Sequence, residues 1–331
     1  MDKKKNKKIV IIGSNSFSAG SFINFAVKKE YKVYGISRSV VNKKQFLKLK
    51  PDKKKFIFFK LDLNKNLKKI LALINKIKPN YIINYASQSM VGQSWDRPSD
   101  WFYTNSFSTI DFYNSLSKMN FKFKLIHIST PEIYGNINNL TKESDIYKPT
   151  TPYAVSRVTA DQFLSILNKR NLINYCSIRA SNVYGEHQRL YRIIPKTIYC
   201  ILKKKKLFLD GGGNSIRNFI HIDDVSEATY KILKKGKRGN IYHVSSNEFI
   251  SIKNLVKYIC KKMNYDFSKL VKIIPERKGK DKYYILSNKK IKNLGWKPKI
   301  LLDQGIQNCI QWIKKDINLF SSNDENYQHK K

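Results

Sequence analysis

The feature that most restricts how this chain can fold lies near its start. Ile9-Val10-Ile11-Ile12 is an unbroken apolar run of strand length, and Gly13-Ser14-Asn15-Ser16-Phe17-Ser18-Ala19-Gly20 follows it as a loop of mostly small residues. Phe22, Ile23, Phe25, Ala26 and Val27 then recur with helical spacing. A short strand apolar on both faces belongs inside a sheet covered on both sides, which is the setting of a parallel sheet. Strand, small-residue loop and helix together open a βαβ unit in which the helix N-terminus receives the phosphates of a dinucleotide. Gly13, Asn15, Ser16 and Phe17 are the candidate contacts. The spacing Gly-x-x-Gly-x-x-Gly is occupied by Gly13, Ser16 and Ala19, so Ser16 must keep a φ that an L-residue tolerates.

The same alternation continues along the chain. Lys32 to Ile36 reads as a second strand, ending in Ser37-Arg38-Ser39. A carboxylate at that point favours the ribose of NAD and an arginine favours a 2′-phosphate, so Arg38 leans the cofactor toward NADP within NAD(P). Phe56 to Phe59 forms a third strand, with Asp62 and Leu63 at its end beside the adenine. Leu67 to Ile77 is helical and stopped by Pro79, and Tyr81 to Asn84 is the fourth strand. Tyr85 to Met90, including Ala86 and Gln88, runs under the cofactor. A helix over Asn105 to Met119, a fifth strand at Leu125 to Ile128 and a sixth at Asn174 to Arg179 complete the pattern.

The chemistry concentrates between residues 129 and 157. Ser129-Thr130-Pro131-Glu132-Ile133-Tyr134-Gly135 leaves the fifth strand, and Thr151-Pro152 supplies a cap and a first-turn proline for a helix carrying Tyr153 and Arg157. Four residues apart on a helix, Tyr153 and Arg157 share a face. A cation there would stabilise a phenolate and lower the tyrosine pKa, as a base working near neutrality requires. Beyond the sixth strand lie Asn182, then Arg189, Arg192 and Lys196 close together, Arg217 on a strand, and Arg277 in a loop. Paired arginines grip phosphate oxygens, which makes Arg189, Arg192, Arg217 and Arg277 candidates for holding a phosphate-bearing ligand.

The boundaries read from these signals are residues 1–180, with about 205–240, as the dinucleotide-binding part. Residues from about 181–204 and 241–320 form the substrate-binding part, and 321–331 a frayed polar tail. The formal charge of +40 comes mostly from lysines scattered among Asn and Ile, which reads as a compositional bias on solvated faces rather than a nucleic-acid surface. Cys176, Cys200, Cys260 and Cys309 show no pairing motif, the five histidines form no metal-ligand cluster, and no apolar run has the length of a membrane span. A reducing, cytoplasmic setting is expected.

These motifs resemble the extended short-chain dehydrogenase/reductases of the NAD-dependent epimerase/dehydratase type. The likeness is greatest to the nucleotide-sugar 4,6-dehydratases acting on dTDP-glucose or GDP-mannose. The resemblance runs from Gly13 to Trp296 through Ser-Thr-x-Glu-x-Tyr-Gly at 129–135, Pro-Tyr-x-x-Ser at 152–156, Asn182-Val183-Tyr184-Gly185, Arg217-x-Phe-x-His-x-Asp-Asp and Leu294-Gly295-Trp296-Lys297-Pro298. It implies a Rossmann doubly wound parallel sheet with a smaller C-terminal α/β substrate-binding region, and a homodimer formed through two helices, one of them carrying Tyr153. It also implies conversion of a nucleoside-diphosphate hexose to its 4-keto-6-deoxy derivative with a recycled NAD(P), for surface polysaccharide synthesis. By the same resemblance Tyr153 is the base at the 4-hydroxyl, Thr130 its hydrogen-bonding partner, and Glu132 the base at C5. Tyr153 and Arg157 would also touch the cofactor. Glu132 is what separates dehydration from the alternative 4-epimerisation, or from a catalytically silent dinucleotide binder. The chain departs from the family in having Pro131 where an acid is often found and Arg157 where a lysine stands.

Overall fold

The computed structural model describes residues 7–40, 52, 54–136, 139–276, 283, 285–327 and 329. Its strands are β1 (Lys8–Ile12), β2 (Lys32–Ser37), β3 (Phe56–Lys60), β4 (Tyr81–Asn84), β5 (Lys124–Ile128), β6 (Tyr175–Ala180), β7 (Asn182–Tyr184), β8 (Leu207–Asp210), β9 (Ile216–His221), β10 (Ile241–Val244), β11 (Phe249–Ser251) and β12 (Val271–Ile274). The helices are α1 (Phe17–Lys28), α2 (Leu67–Ile77), α3 (Pro98–Phe102), α4 (Thr109–Ser117), α5 (Pro152–Lys169), α6 (Ile193–Leu202), α7 (Ile222–Lys235), α8 (Ile252–Lys262), α9 (Phe267–Leu270), α10 (Lys289–Lys292) and α11 (Leu302–Asp316).

Seven strands form one parallel sheet in the order β10-β6-β5-β4-β1-β2-β3. The order turns around between β1 and β4, which opens a crevice at the carboxyl ends of those strands. Alternate residues of β1 serve the two faces. Ile9 and Ile11 pack with α1, α7 and Trp296, whereas Val10 and Ile12 pack with α2, α4 and α5. This is why β1 is apolar throughout, as the sequence indicated. A second core joins α6, α8 and α11 around Leu190, Leu255, Ile306 and Trp312, and the short sheets β11-β9-β7 and β12-β8 belong to that side of the molecule.

Three expectations change. Ile241 to Val244 lies inside the range read as substrate-binding, yet as β10 it pairs with β6 and closes the large sheet. A four-residue buried run carries no local mark of which sheet it will join. The helix read from Asn105 begins earlier: α3, a π-helical turn at Tyr103–Ser108 and α4 follow one another without a break. Finally, the segment after α11 is not frayed throughout. Ser321 and Asp324 make a reciprocal capping box, and Glu325 pairs with Lys205.

Candidate active site

Two elements meeting at the end of β5 build the site. Thr130 leaves the strand in an extended conformation and its hydroxyl accepts from Glu132 N at 3.3 Å, which starts the 3₁₀ turn Pro131–Tyr134 and fixes where Glu132 stands. Opposite it, Thr151 caps α5 by accepting from Ala154 N at 3.1 Å, and Pro152 occupies the first turn, as the sequence predicted. Tyr153 therefore sits at the start of a helix of 18 residues, with its backbone N–H donating to Ser94 Oγ at 3.1 Å.

The start of α5 is clamped by residues that sequence reading missed. Asn105 and Ser106, from the π-helical turn, donate to Ser156 Oγ and to Ser156 O, each at 3.0 Å. Asn105 also holds the backbone of Gln88 from both sides, accepting from its N–H at 2.8 Å and donating to its C=O at 3.0 Å. The π turn widens the helix so that one face reaches both Gln88 and α5, a use typical of such turns at functional sites.

Tyr153 is buried, and burial pushes its pKa above the ordinary phenol value, with the charge of Glu132 acting in the same direction. Arg157, the hydrogen bond with Thr130 and the charge of Arg192 pull the other way without prevailing. The expectation that the Tyr-Arg pair would leave a lowered pKa is thus corrected: desolvation of a phenolate outweighs one cation that is itself shared. Arg157 is 2% exposed, and its guanidinium donates to Ile128 O. Below it on the same face, one further helical turn along, lies Asp161. The carboxylate of Asp161 accepts from Ser129 Oγ, from Ser177 Oγ at 3.2 Å and from Arg179 at 3.4 Å. Burial alone would raise its pKa, but Arg179, His127, Ser129 and Arg157 together hold it below the carboxylate range. His127 Nε2 lies 3.9 Å from Asp161. Burial drives the pKa of His127 down to about 3, so this contact is not an ion pair near neutrality.

The remaining predicted residues fall into place unevenly. Gly13 has φ +77°, and its N–H donates to Ile36 O at 2.8 Å. Asn15 reaches across to Ser39 O, Ser16 caps α1 at φ −72°, and Phe17 opens that helix. Arg38 follows β2. Asp62 is tied into a turn, its carboxylate accepting from Asn64 N and its N–H donating to Asn66, both at 2.9 Å, with Leu63 buried beside it. Arg192, at the start of α6, is close enough to act on Tyr153. Asn182 and Arg217 lie on neighbouring strands of a small sheet, with Asn182 opposite Phe219, and Arg217 donates to Ile216 O at 2.9 Å. Arg189 lies in the loop between β7 and α6. Arg277 is outside the described residues.

A family model described as GDP-mannose 4,6 dehydratase matches residues 11–309. The chain belongs to that family. It is 31% identical over 256 residues to the dTDP-D-glucose 4,6-dehydratase of Mus musculus, covering 76% of this chain and 71% of the relative. It is 25% identical over 325 residues to the probable dTDP-glucose 4,6-dehydratase of Sinorhizobium fredii, covering 92% of each. The fold matches the dTDP-glucose 4,6-dehydratase of Streptomyces venezuelae, solved with NAD bound, with a TM-score of 0.85 at 22% identity over 94% of this chain and 98% of that one. A UDP-glucose 4-epimerase of Thermotoga maritima has the same fold, with a TM-score of 0.84 at 22% identity. The resemblance read from the motifs is therefore correct, and so is the Rossmann doubly wound sheet.

The dehydratase family's dinucleotide fits the residues present. A Cβ placed on Gly13 would lie 2.6 Å from Ala86 N and 2.8 Å from Ala86 Cα, so the loop after β1 runs directly against the segment after β4, and α1 begins at the end of that loop, where a helix N-terminus suits a phosphate. Arg157 Nε and Ser14 Oγ are buried and have no hydrogen-bond partner among the described residues. Unpaired buried donors are costly, and a ribose or phosphate oxygen would satisfy them.

Proposed function

We propose that this protein is a nucleotide-sugar 4,6-dehydratase, converting a nucleoside-diphosphate hexose to its 4-keto-6-deoxy derivative for surface polysaccharide synthesis. The observation that carries this reading is Glu132, placed by the Thr130 cap within electrostatic reach of Tyr153. A bound NAD(P) supplies the acceptor and later the donor of hydride. Tyr153 takes the proton of the 4-hydroxyl, while Thr130, bonded to the same phenol, holds that oxygen in place. Oxidation at C4 acidifies the C5 proton, and Glu132 removes it. Pro131 has no proton to give, so Glu132 passes the proton it has taken to the departing C6 hydroxyl and water leaves; the proton held by Tyr153 then goes to C5 when C6 receives hydride, which returns both residues to their starting state.

Burial and the charge of Glu132 both oppose ionisation of Tyr153, and Arg157, Thr130 and Arg192 oppose that effect. Arg157, one turn along α5, acts on Tyr153 electrostatically, and its buried Nε, without a partner among the described residues, would donate to the ribose. Arg192, close enough to act on Tyr153, would meet the diphosphate of the sugar nucleotide, with Arg189, Arg217, Asn182 and Gln88 as further substrate contacts of this reading. Arg38, at the end of β2, favours NADP over NAD. Val155 and Ile166 on α5, together with Phe102, Tyr103 and Phe107, expose apolar surface through which a homodimer would form. Four buried free cysteines suit a reducing, cytoplasmic location. No described helix is long and apolar enough to cross a membrane.

The test is incubation with dTDP-glucose first, then GDP-, UDP- and CDP-hexoses, reading the alkali absorbance of a 4-keto-6-deoxy product. Turnover by the wild type and its loss by about 10²–10⁴-fold in Glu132→Gln is the expected result. A C4 epimer as the product, or dehydration surviving the substitution, would refute it. Comparing NAD and NADP binding by wild type and Arg38→Ala decides the cofactor.

A further inference from the structure

Nothing in the reaction above uses the segment after α11, yet that segment crosses the site. It begins in the second core, where the buried ring of Phe320 lies 5.6 Å from Trp312 and 6.2 Å from Tyr199. The capping box then turns the chain, with Asp324 accepting from Ser321 N at 2.9 Å and from Ser321 Oγ at 3.0 Å. Glu325 pairs with Lys205 on the same side. Tyr327 follows, its ring edge-on to Tyr191 at 5.5 Å and its hydroxyl 3.4 Å from Gln88 Oε1. His329 completes the crossing on the opposite side, stacked at 5.0 Å and 13° on the fully buried Trp101, with Nε2 2.8 Å from Asp100.

The position of Tyr327 relates this crossing to the site. Burial and Tyr191 raise the pKa of its phenol, while two positive charges oppose them, Arg38 and Arg192. Arg38 directly follows β2, where the dehydratase reading puts the adenosine of the dinucleotide, and Arg192 also acts on Tyr153. One ring is thus within electrostatic reach of both ends of the space that a dinucleotide and a sugar would share. It also touches Gln88, whose backbone Asn105 holds rigidly.

We propose that Ser321 to Tyr327, with His329, is a strap that closes over the crevice between the α6–α11 side and the α3 helix, and that Tyr327 is its latch, completing the site against Gln88 and Tyr191. The inference rests on the dehydratase reading for what lies beneath the strap, but not for the strap itself. Beyond the buried Phe320, the segment is held by one ion pair with an exposed lysine and by the ring contacts of Tyr327 and His329, so it can lift without unfolding the second core, as exchange of cofactor, substrate or product requires. Tyr327 is a positioning residue, and its ring rather than its long hydroxyl contact carries the latch.

The test uses the full chain with Tyr327→Ala/His329→Ala and, separately, Tyr327→Phe. Hydrogen exchange is followed over residues 85–105 and 185–193, and release of NADH and of dTDP is followed by stopped-flow fluorescence or displacement. The strap predicts at least about tenfold faster exchange in both stretches and at least about tenfold faster ligand release in the double variant, with wild-type rates in Tyr327→Phe. Unchanged exchange in the double variant overturns the proposal. So does tighter binding without faster release, which would make the segment a competitor for the crevice rather than its cover. If neither protein binds dinucleotide or dTDP but exchange still accelerates, the strap stands and the dehydratase reading fails.

Discussion

Asp161 offers the sharpest test of how the site is supported. The side chain is 3% exposed and stands between two buried guanidiniums, Arg157 and Arg179, while His127 beside it is neutral at pH 7. Asp161→Asn keeps the shape and part of the hydrogen bonding to Ser129 and Ser177, but removes the one negative charge. Arg157 retains Ile128 O, and Arg179 retains Tyr134 Oη and Ser144 O, the last at 2.6 Å. These dipoles offset part of each charge and not the whole. Breaking a buried pair by deleting one partner costs about 3–5 kcal/mol, and at about 2 °C per kcal/mol for a chain of this size the melting temperature should fall by roughly 6–10 °C. The assay is urea denaturation at pH 7 with thermal melts as a check, on Asp161→Asn, Arg179→Met and the double variant. The double variant should lose less than the sum of the singles, because the uncompensated charge has gone with its partner. A loss in Asp161→Asn below about 1 kcal/mol with additive singles would refute the reasoning and reduce the network to independent hydrogen bonds.

Further outcomes follow from the same structure. Burial lowers the folded-state pKa of His127 and His243 to about 3. Their contribution to stability is therefore complete above the unfolded value of about 6.5 and is lost as pH falls toward 3, at up to about 1.4 kcal/mol per pH unit for each. Denaturation between pH 5 and 7 should show this slope, and His127→Gln or His243→Gln should flatten it; a flat wild-type curve contradicts the assignment. Gly13→Ala combines a left-handed φ costing about 1 kcal/mol with a Cβ pressed on the backbone of Ala86, so dinucleotide affinity by calorimetry should drop at least tenfold with the fold retained; unchanged affinity would place the cofactor elsewhere. Arg157 lowers the pKa of Tyr153, so Arg157→Met should move the rise of hydride-transfer rate with pH to higher pH, and Arg157→Lys should move it less. A profile identical to the wild type would show that Tyr153 is not the base.

What could be read in advance divides along physical lines. Gly13, Thr151 and Pro152 were legible because what they do is local: a positive φ, a cap or a first-turn proline is decided within a few residues of chain, whereas Thr130 and Glu132 were singled out through the family resemblance. The alternation of apolar runs and helical stripes likewise led to the seven-stranded sheet through β6. Asp161 was within reach, since it continues the Tyr153-Arg157 spacing along one helix face, but its meaning depends on Arg179 and His127, which arrive from other strands. The joining of β10 to the large sheet was not legible, because a buried four-residue strand looks alike in any sheet.

By itself the sequence determined the Rossmann order of elements, through short-range backbone preferences and the period of apolar positions, and the family, through the resemblance of its motifs. Only the tertiary structure decided the charge state of Tyr153, where desolvation and Glu132 outweigh the cation one turn away. Only it decided that the stretch from Ser321 to Tyr327, polar and without a helical or strand period, turns back to set Tyr327 against Tyr191 and Gln88. Desolvation and long-range contact depend on what surrounds a group in three dimensions, and neither leaves a periodic trace in the chain.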